Sequence, residues 1–258
     1  MTNSGELLPQ LYAMDHTGGW NEGMRQVTAA LLDGIGAANG PVLELGCGGG
    51  AQAELLARRF APQPIYALDI MPVAVAAAHQ HLGAAVGVMQ SDVHALPFAD
   101  AALGLIVGMD VLDQTGVDIV TALGELRRVL RNDGRLLLRV SAYDWLTGPH
   151  DHAFNTAHRY GAGELRDVLA YAGFTVERMT FANTLLAPPL VAVRLLQRWG
   201  LLPLAQADYD DPVANRLFYE ALQREAAWLR HGDLPFGISL NALARKRSYG
   251  NEDPVGQA

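Results

Sequence analysis

Three acids stand within or just after three short apolar runs: Glu44 in Val42–Leu45, Asp69 closing Ile65–Asp69, and Asp92 following Val86–Gln90. Behind the first run comes a glycine turn, Gly46-Cys47-Gly48-Gly49-Gly50, and then a helical window from Gln52 to Phe60. A buried strand, a tight turn and a helix N-terminus, in that order, present free backbone N–H groups to a ligand. Glycine suits the turn because it tolerates positive φ and lets a ligand approach the backbone closely. The spacing is not G-x-G-x-x-G, and no Lys-Ser/Thr follows, so neither a nicotinamide fingerprint nor a triphosphate loop is indicated. An acid at the end of the first strand suits instead a ligand with a cationic amino-acid end. Asp69 lies where a carboxylate meets ribose hydroxyls in this architecture and can accept from both of them. Asp92 is placed to accept from an adenine amino group. Each acid alone reads as a solvated strand end; together, on one edge of a sheet, they point to a single ligand.

A second concentration of reactive side chains lies farther along, at His150, Asp151, His152, His158, Arg159 and Tyr160. Residues 141–163 are rich in His, Asp, Tyr, Trp and Gly, a texture that predicts a long functional loop rather than core. Histidine titrates near neutrality and is the natural general base. The spacing of these groups matches no standard zinc pattern, so no metal is expected. Cys47 is the one cysteine, with no partner base in view, and reads as a small residue facing the ligand.

The elements that must position these groups alternate. Strands are expected at Val42–Leu45, Ile65–Asp69, Val86–Gln90, Leu103–Met109 and Arg135–Val140. A helix from Asp118 to Arg131 sets Ile119, Leu123, Leu126 and Leu130 on one face, and Asn132-Asp133-Gly134 ends it. Such alternation implies a doubly wound α/β sheet, mostly parallel, whose ligands sit beyond the carboxyl ends of the strands. A helix from Glu164 to Ala172, with Gly173 as its C′ residue, and late strands at Thr175–Ala182 and Ile238–Lys246 complete the pattern. The expected division is a helical lid or access segment at 1–40, a core at 41–182, a helical insertion at 183–232, and a closing strand and tail at 233–258.

Bulk properties narrow the function. Half of the 258 residues are hydrophobic, enough for a substantial core. A formal net charge of −8 leaves no basic excess for a nucleic-acid backbone. Met1–Gln10 lacks the features of a signal peptide, and Leu185–Leu204 is interrupted by Pro188, Pro189, Arg194 and Arg198, so no membrane span is expected. A lone cysteine fits a reducing, cytoplasmic setting.

Taken together, LELGCGGG ending at Gly50, ALDI ending at Ile70, SDVHALPF (91–98), LIVGMDVLD (105–113) and ELRRVLRNDGRLLLRV (125–140) resemble the class I S-adenosylmethionine-dependent methyltransferases. The resemblance covers residues 12–247. It implies a Rossmann-like sheet of seven strands with an antiparallel last strand, and S-adenosylmethionine as cofactor. By it, Glu44, Gly46, Cys47 and Gly48 line the methionine end, Asp69 and Ile70 the ribose, and Asp92 with Val93 the adenine. Met109 and Asp110 would line the cleft near the sulfonium. His16 through Trp20 to Arg25 is similar to an aromatic–basic segment of a bacterial small-molecule subgroup, which adds Arg25 to the cofactor set. His150-Asp151, His158-Arg159-Tyr160 and Pro235–Leu240 are similar to the same subgroup, many of whose members accompany polysaccharide or secondary-metabolite genes. The chain departs from that subgroup in having His158 where the first arginine of a pair is usual, and Thr156 where a histidine is usual.

Methyl transfer to oxygen or nitrogen requires alignment and, for a hydroxyl, a base. His158 and His152 are the candidates, with Asp151 as orienter and Tyr160 and Arg159 positioning the acceptor. The segment Leu190–Trp199 sets Arg194, Gln197 and Arg198 on one face and Val191, Leu195, Leu196 and Trp199 on the other. That face packs on the sheet, pairs with a second copy of the chain, or roofs an apolar substrate with Tyr12, Trp20, Trp145 and Phe154. The altered loop around Thr156 and His158 keeps open a non-methylating cyclisation or rearrangement on the same scaffold, or a non-catalytic binding subunit.

Overall fold

The computed structural model describes residues 18–148, 151, 155–198, 201 and 212–247. In chain order these form α1 (Gly19–Asp33), β1 (Val42–Leu45), α2 (Ala51–Phe60), β2 (Ile65–Asp69), α3 (Pro72–Leu82), β3 (Gly87–Gln90) and β4 (Leu103–Met109). There follow α4 (Ile119–Val129), β5 (Leu130–Ser141), α5 (Ala162–Tyr171), β6 (Phe174–Ala182), α6 (Ala187–Arg198), α7 (Pro212–Leu229) and β7 (Ser239–Lys246). The strands make one sheet of seven in the order β3-β2-β1-β4-β5-β7-β6. Pairing is parallel from β3 to β5, while β7 runs antiparallel to both β5 and β6. This is the Rossmann-like sheet the sequence implies.

Central strands are apolar on both faces because helices cover both. All four residues of β1 are buried, as are the first six of β4; each such aliphatic contributes roughly 1.5–3 kcal/mol relative to exposure. One face packs against α1, α2 and α7, joining Val27, Leu31, Leu56, Leu105, Leu137, Leu222 and Leu229. The other packs against α4 and α5, joining Leu43, Ile106, Leu123, Leu126, Leu138, Leu165 and Phe174. Asp118 caps α4, its carboxylate accepting the Thr121 N–H at 2.7 Å.

The first and last helical segments meet although they are far apart in sequence. Gly23 of α1 lies against Leu222 of α7, where an added Cβ would stand 2.6 Å from the leucine Cβ. Helix α7 therefore shares a core with α1.

The largest difference from the expected boundaries lies between α4 and β5. Helix α4 ends at Val129, not Arg131, and Leu130 already pairs with Leu103. Leu130 is fully buried, so leaving the helix early places its side chain in the core, while the Asn132-Asp133-Gly134 turn, with Asp133 at φ 68°, carries the chain into the paired part of β5.

Candidate cofactor and acceptor site

The strand order reverses between β1 and β4, and the predicted cofactor residues gather there, at the carboxyl ends of β1, β2 and β4. Gly46 leaves β1 at φ 68°, and a Cβ there would stand 2.5 Å from Val111 Cγ2. Only glycine lets the turn lie this close to the loop after β4. The turn is closed by the Cys47 N–H donating to the Leu68 carbonyl at 2.9 Å and the Gly50 N–H to the Cys47 carbonyl at 2.8 Å. Glu44 and Cys47 are buried.

Asp69 is oriented from two sides. The Gly48 N–H donates to Oδ2 at 3.1 Å and the Met71 N–H to Oδ1 at 2.9 Å. Each carboxylate oxygen keeps a further lone pair, so capacity for a diol remains. Ile70 beside it is exposed at 58%. Asp92 accepts the His94 N–H at 2.9 Å and meets His94 Nδ1 at 2.6 Å, while His94 Nε2 accepts the Asp118 N–H at 3.0 Å. That pair of bonds assigns the ring proton to Nδ1. The backbone bond from His94, with its ring in support, holds the Asp92 carboxyl below its usual range. Val93 is buried beside it.

Met109 and Asp110 close the β4 end. Thr28 Oγ1 of α1 approaches Met109 Sδ at 3.7 Å. Asp110 sits at φ 56°, and its Oδ2 accepts from Arg139 Nε at 2.8 Å and Nη2 at 2.6 Å. Arg25, expected at the cofactor, pairs with Glu22 of its own helix at 2.6 Å.

The loop after β5 is organised by a residue the sequence reading did not single out. Asp113 is buried; its Oδ2 accepts the Ser141 N–H at 2.8 Å, and its carbonyl accepts the N–H groups of Ala157 at 2.7 Å and His158 at 3.3 Å. Burial, and then the nearby Asp110 charge, push its carboxyl above the usual range. Its signal in sequence was slight: an acid next to Leu112, close behind an apolar strand.

The expected pairing of Asp151 with a histidine is not what the described residues show. Asp151 and Arg159 form a buried ion pair through Asp151 Oδ1 and the guanidinium Nη2, with Arg159 Nε at 3.1 Å. Arg159 also donates to the Ala142 carbonyl at 3.1 Å, and the Gly148 N–H donates to Asp151 Oδ2 at 2.8 Å. Burial works upward on Asp151, but the bonds from Arg159 and Gly148 outweigh it and hold the carboxyl low. A buried arginine attracts the buried acid more strongly than a solvated histidine does. The carboxylate that meets His158 is Glu164, 2.7 Å from Nε2, and the same Glu164 accepts the Gly161 N–H at the start of α5. The His158 ring stands edge-on to Tyr160 at 4.5 Å. Burial, reinforced by Glu164, pushes the Tyr160 hydroxyl up to about 12.

Among the proposed substrate residues, Trp20 packs edge-on to Phe218 of α7 at 6.0 Å, and Trp145 is exposed at 55%. Tyr12, His16, His150, His152, Phe154 and Trp199 lie outside the described residues. Among the described residues no group of His, Cys, Asp and Glu is placed to hold a metal ion, and no helix is long and apolar enough to cross a membrane.

A cavity of about 310 Å³ opens at the carboxyl ends of β5 and β6, lined by Tyr143, Trp145, Leu146, Pro188, Val191 and Phe236 among others. Its floor is fixed by Tyr143, which stacks on Phe181 at 5.4 Å, and by the Ala142 N–H donating to the Ile238 carbonyl at 3.0 Å.

A doubly wound sheet with a glycine turn and oriented strand-end acids at its switch point defines a nucleoside-binding α/β domain. The residues fit S-adenosylmethionine: the turn admits no side chain at Gly46, and Asp69 keeps two acceptor oxygens fixed by backbone. The methyltransferase-domain family model matches residues 43–138. A protein of Mycobacterium tuberculosis (strain ATCC 25618 / H37Rv), named a probable S-adenosylmethionine-dependent methyltransferase, is 32% identical over 135 residues, covering 52% of this chain and 48% of that protein. The chain spans 36% to 48% of the length of the curated relatives it matches. The crystal structure of the [4+2]-cyclase SpnF aligns with a TM-score of 0.61 at 21% identity, covering 90% of this chain and 84% of that one. Geranyl diphosphate C-methyltransferase from Streptomyces coelicolor A3(2) aligns at 0.58 with 14% identity, over 86% and 79%. Residues 43–138 thus match a methyltransferase domain, and the mycobacterial protein that the chain resembles is named as S-adenosylmethionine-dependent.

Proposed function

We propose that the chain transfers a methyl group from S-adenosylmethionine to an oxygen or nitrogen of a small molecule seated beneath residues 141–160 and the helices of 183–232. The observation that carries this reading is Asp69, whose two oxygens are fixed by the Gly48 and Met71 N–H groups beside a turn that admits no side chain. Bound S-adenosylmethionine supplies an electrophilic methyl group. Around it, Glu44 faces the amino-acid end, Asp69 accepts from the ribose hydroxyls, and Asp92 and Val93 border the adenine. Met109 and Asp110 wall the cleft towards the acceptor.

His158 takes the acceptor proton. Glu164, 2.7 Å from Nε2, selects the tautomer whose Nδ1 accepts, and Asp113 seats the His158 backbone beside the loop after β4. Tyr160 keeps its proton near neutral pH and acts as a donor. Arg159 and Asp151 hold the loop in register.

Calorimetric titration with S-adenosylhomocysteine tests the base of this reading, and absence of binding refutes it. With a turned-over acceptor, S-adenosylhomocysteine should form one-for-one with product. Product without it would favour a rearrangement or cyclisation on the same scaffold. His158→Ala should lower kcat about 10²-fold or more, the usual contribution of a positioned base.

A further inference from the structure

The cavity beside Tyr143 lies on the same edge of the sheet as the cofactor cleft. Strand β7 begins at that edge and β6 ends there, with Ser141, Ser239 and Ala182 in register. Neighbouring strands are spaced about 4.8 Å apart, so the mouths of β4 and β7 are separated by roughly 10 Å. At about 310 Å³ the cavity sits at the small end of the range for small-molecule sites. Its wall is almost entirely carbon, supplied by Tyr143, Trp145, Leu146, Pro188, Val191 and Phe236.

Among the described residues, Arg194 brings a charge to this wall through its bond to a lining residue, Leu146. Arg194 stands one helical turn beyond Val191 on α6 and donates from Nη1 to the carbonyl of Leu146 at 3.4 Å. It is half-buried, and among the described residues this single long bond is its one hydrogen bond. The acid that acts on it, Asp151, is committed to Arg159 and Gly148, and Arg159 adds a second positive charge. Among the described residues the group Arg159, Asp151 and Arg194 therefore carries one uncompensated positive charge beside an apolar chamber. Burial weakens the charged state of Arg194, and Arg159 weakens it further; an incoming anion would relieve both effects. A guanidinium fork matches a carboxylate in geometry as well as charge.

We infer that the acceptor is an amphiphilic monoanion: an apolar body occupies the cavity between Tyr143 and Val191, and a carboxylate pairs with Arg194. This rests on the reading of the β1–β4 edge as the cofactor cleft, because the acceptor must reach from the cavity towards Met109 and Asp110. The uncompensated charge sets the ligand at one negative charge, and the small volume confines its apolar part to a medium-length chain or a compact ring system.

The test uses the full chain, with decanoate and decanol as probes below their aggregation limits, followed by calorimetry or by tryptophan fluorescence from Trp145. Decanoate should bind at least tenfold more tightly than decanol. Arg194→Gln should abolish that preference while leaving decanol binding intact. Val191→Trp, which fills the chamber, should lose both probes. S-adenosylhomocysteine titrated into each variant reports folding and the cofactor cleft independently. Equal affinity for the two probes, unchanged decanoate binding in Arg194→Gln, or decanoate binding that survives Val191→Trp would overturn the inference. Failure of S-adenosylhomocysteine to bind, with decanoate behaving as expected, would overturn the methyltransferase reading and leave the anion site standing.

Discussion

The two ends of the carboxyl edge solve the problem of holding charge in different ways. At the ends of β2 and β3 the acids are partly exposed and oriented by backbone: Asp69 by the Gly48 and Met71 N–H groups, Asp92 by the His94 N–H. Their partners are fixed before any ligand arrives, and lone pairs remain for one. Around the post-β5 loop the acids are buried and take their partners from the protein: Asp151 from Arg159, and Asp113 from the Ser141 N–H. Acids of the first kind are available for recognition; those of the second kind are structural, and they fix the loop after β5.

The sharpest way to break this contrast is Arg159→Ala. It strands Asp151 in the interior, and losing one member of a buried pair typically costs about 3–5 kcal/mol. Urea unfolding should show that loss, with S-adenosylhomocysteine affinity little changed in the protein that remains folded. Asp69→Ala should do the reverse. Cofactor affinity, read by calorimetry, should fall by about 1–3 kcal/mol, the usual cost of removing a charged hydrogen-bond partner, while the unfolding midpoint moves less. If both substitutions act mainly on stability, the contrast between the two ends fails.

Asp113→Asn sharpens it by pH. The folded carboxyl lies above its ordinary value of 3.8 because it is buried and faces Asp110. A group whose folded pKa is raised contributes stability below its unfolded pKa and loses it as pH rises through the folded value. The wild type should therefore lose stability relative to Asp113→Asn as pH climbs from about 4 upwards; a pH-independent difference would reject the assignment. Asp92→Asn should have the smallest effect and the opposite sign. Its folded pKa is depressed, so the contribution is present above 3.8 and fades as pH falls through the folded value. For so exposed a pair the change in unfolding free energy should stay below about 1 kcal/mol.

Most of the scaffold was legible in the sequence for a local reason. Strands β1, β2 and β4 begin and end where the apolar runs do, because a parallel strand covered on both faces must be apolar throughout and its boundaries show as changes of polarity. The glycine turn was legible for a similar reason, since positive φ at Gly46 is a property of a single residue. The end of α4 was less so. Leu130 fits the apolar face of a helix as well as it fits a strand facing Leu103, and only the neighbour decides.

What the sequence determined by itself is therefore the sheet, the turn and the line of acids from Glu44 to Asp92. Each of these depends on residue type at short spacing, and short-range backbone chemistry does not change with context. Tertiary structure alone decided who pairs with whom beyond β5. Asp151 is near two histidines in sequence, yet it is Arg159 that neutralises it, and His158 turns to Glu164. Arg194 joins Arg159 and Leu146 only because α6 folds back over the β5 end. Partner choice among charged side chains is settled by burial and by which groups share a low-dielectric space, and neither can be read from spacing along a chain.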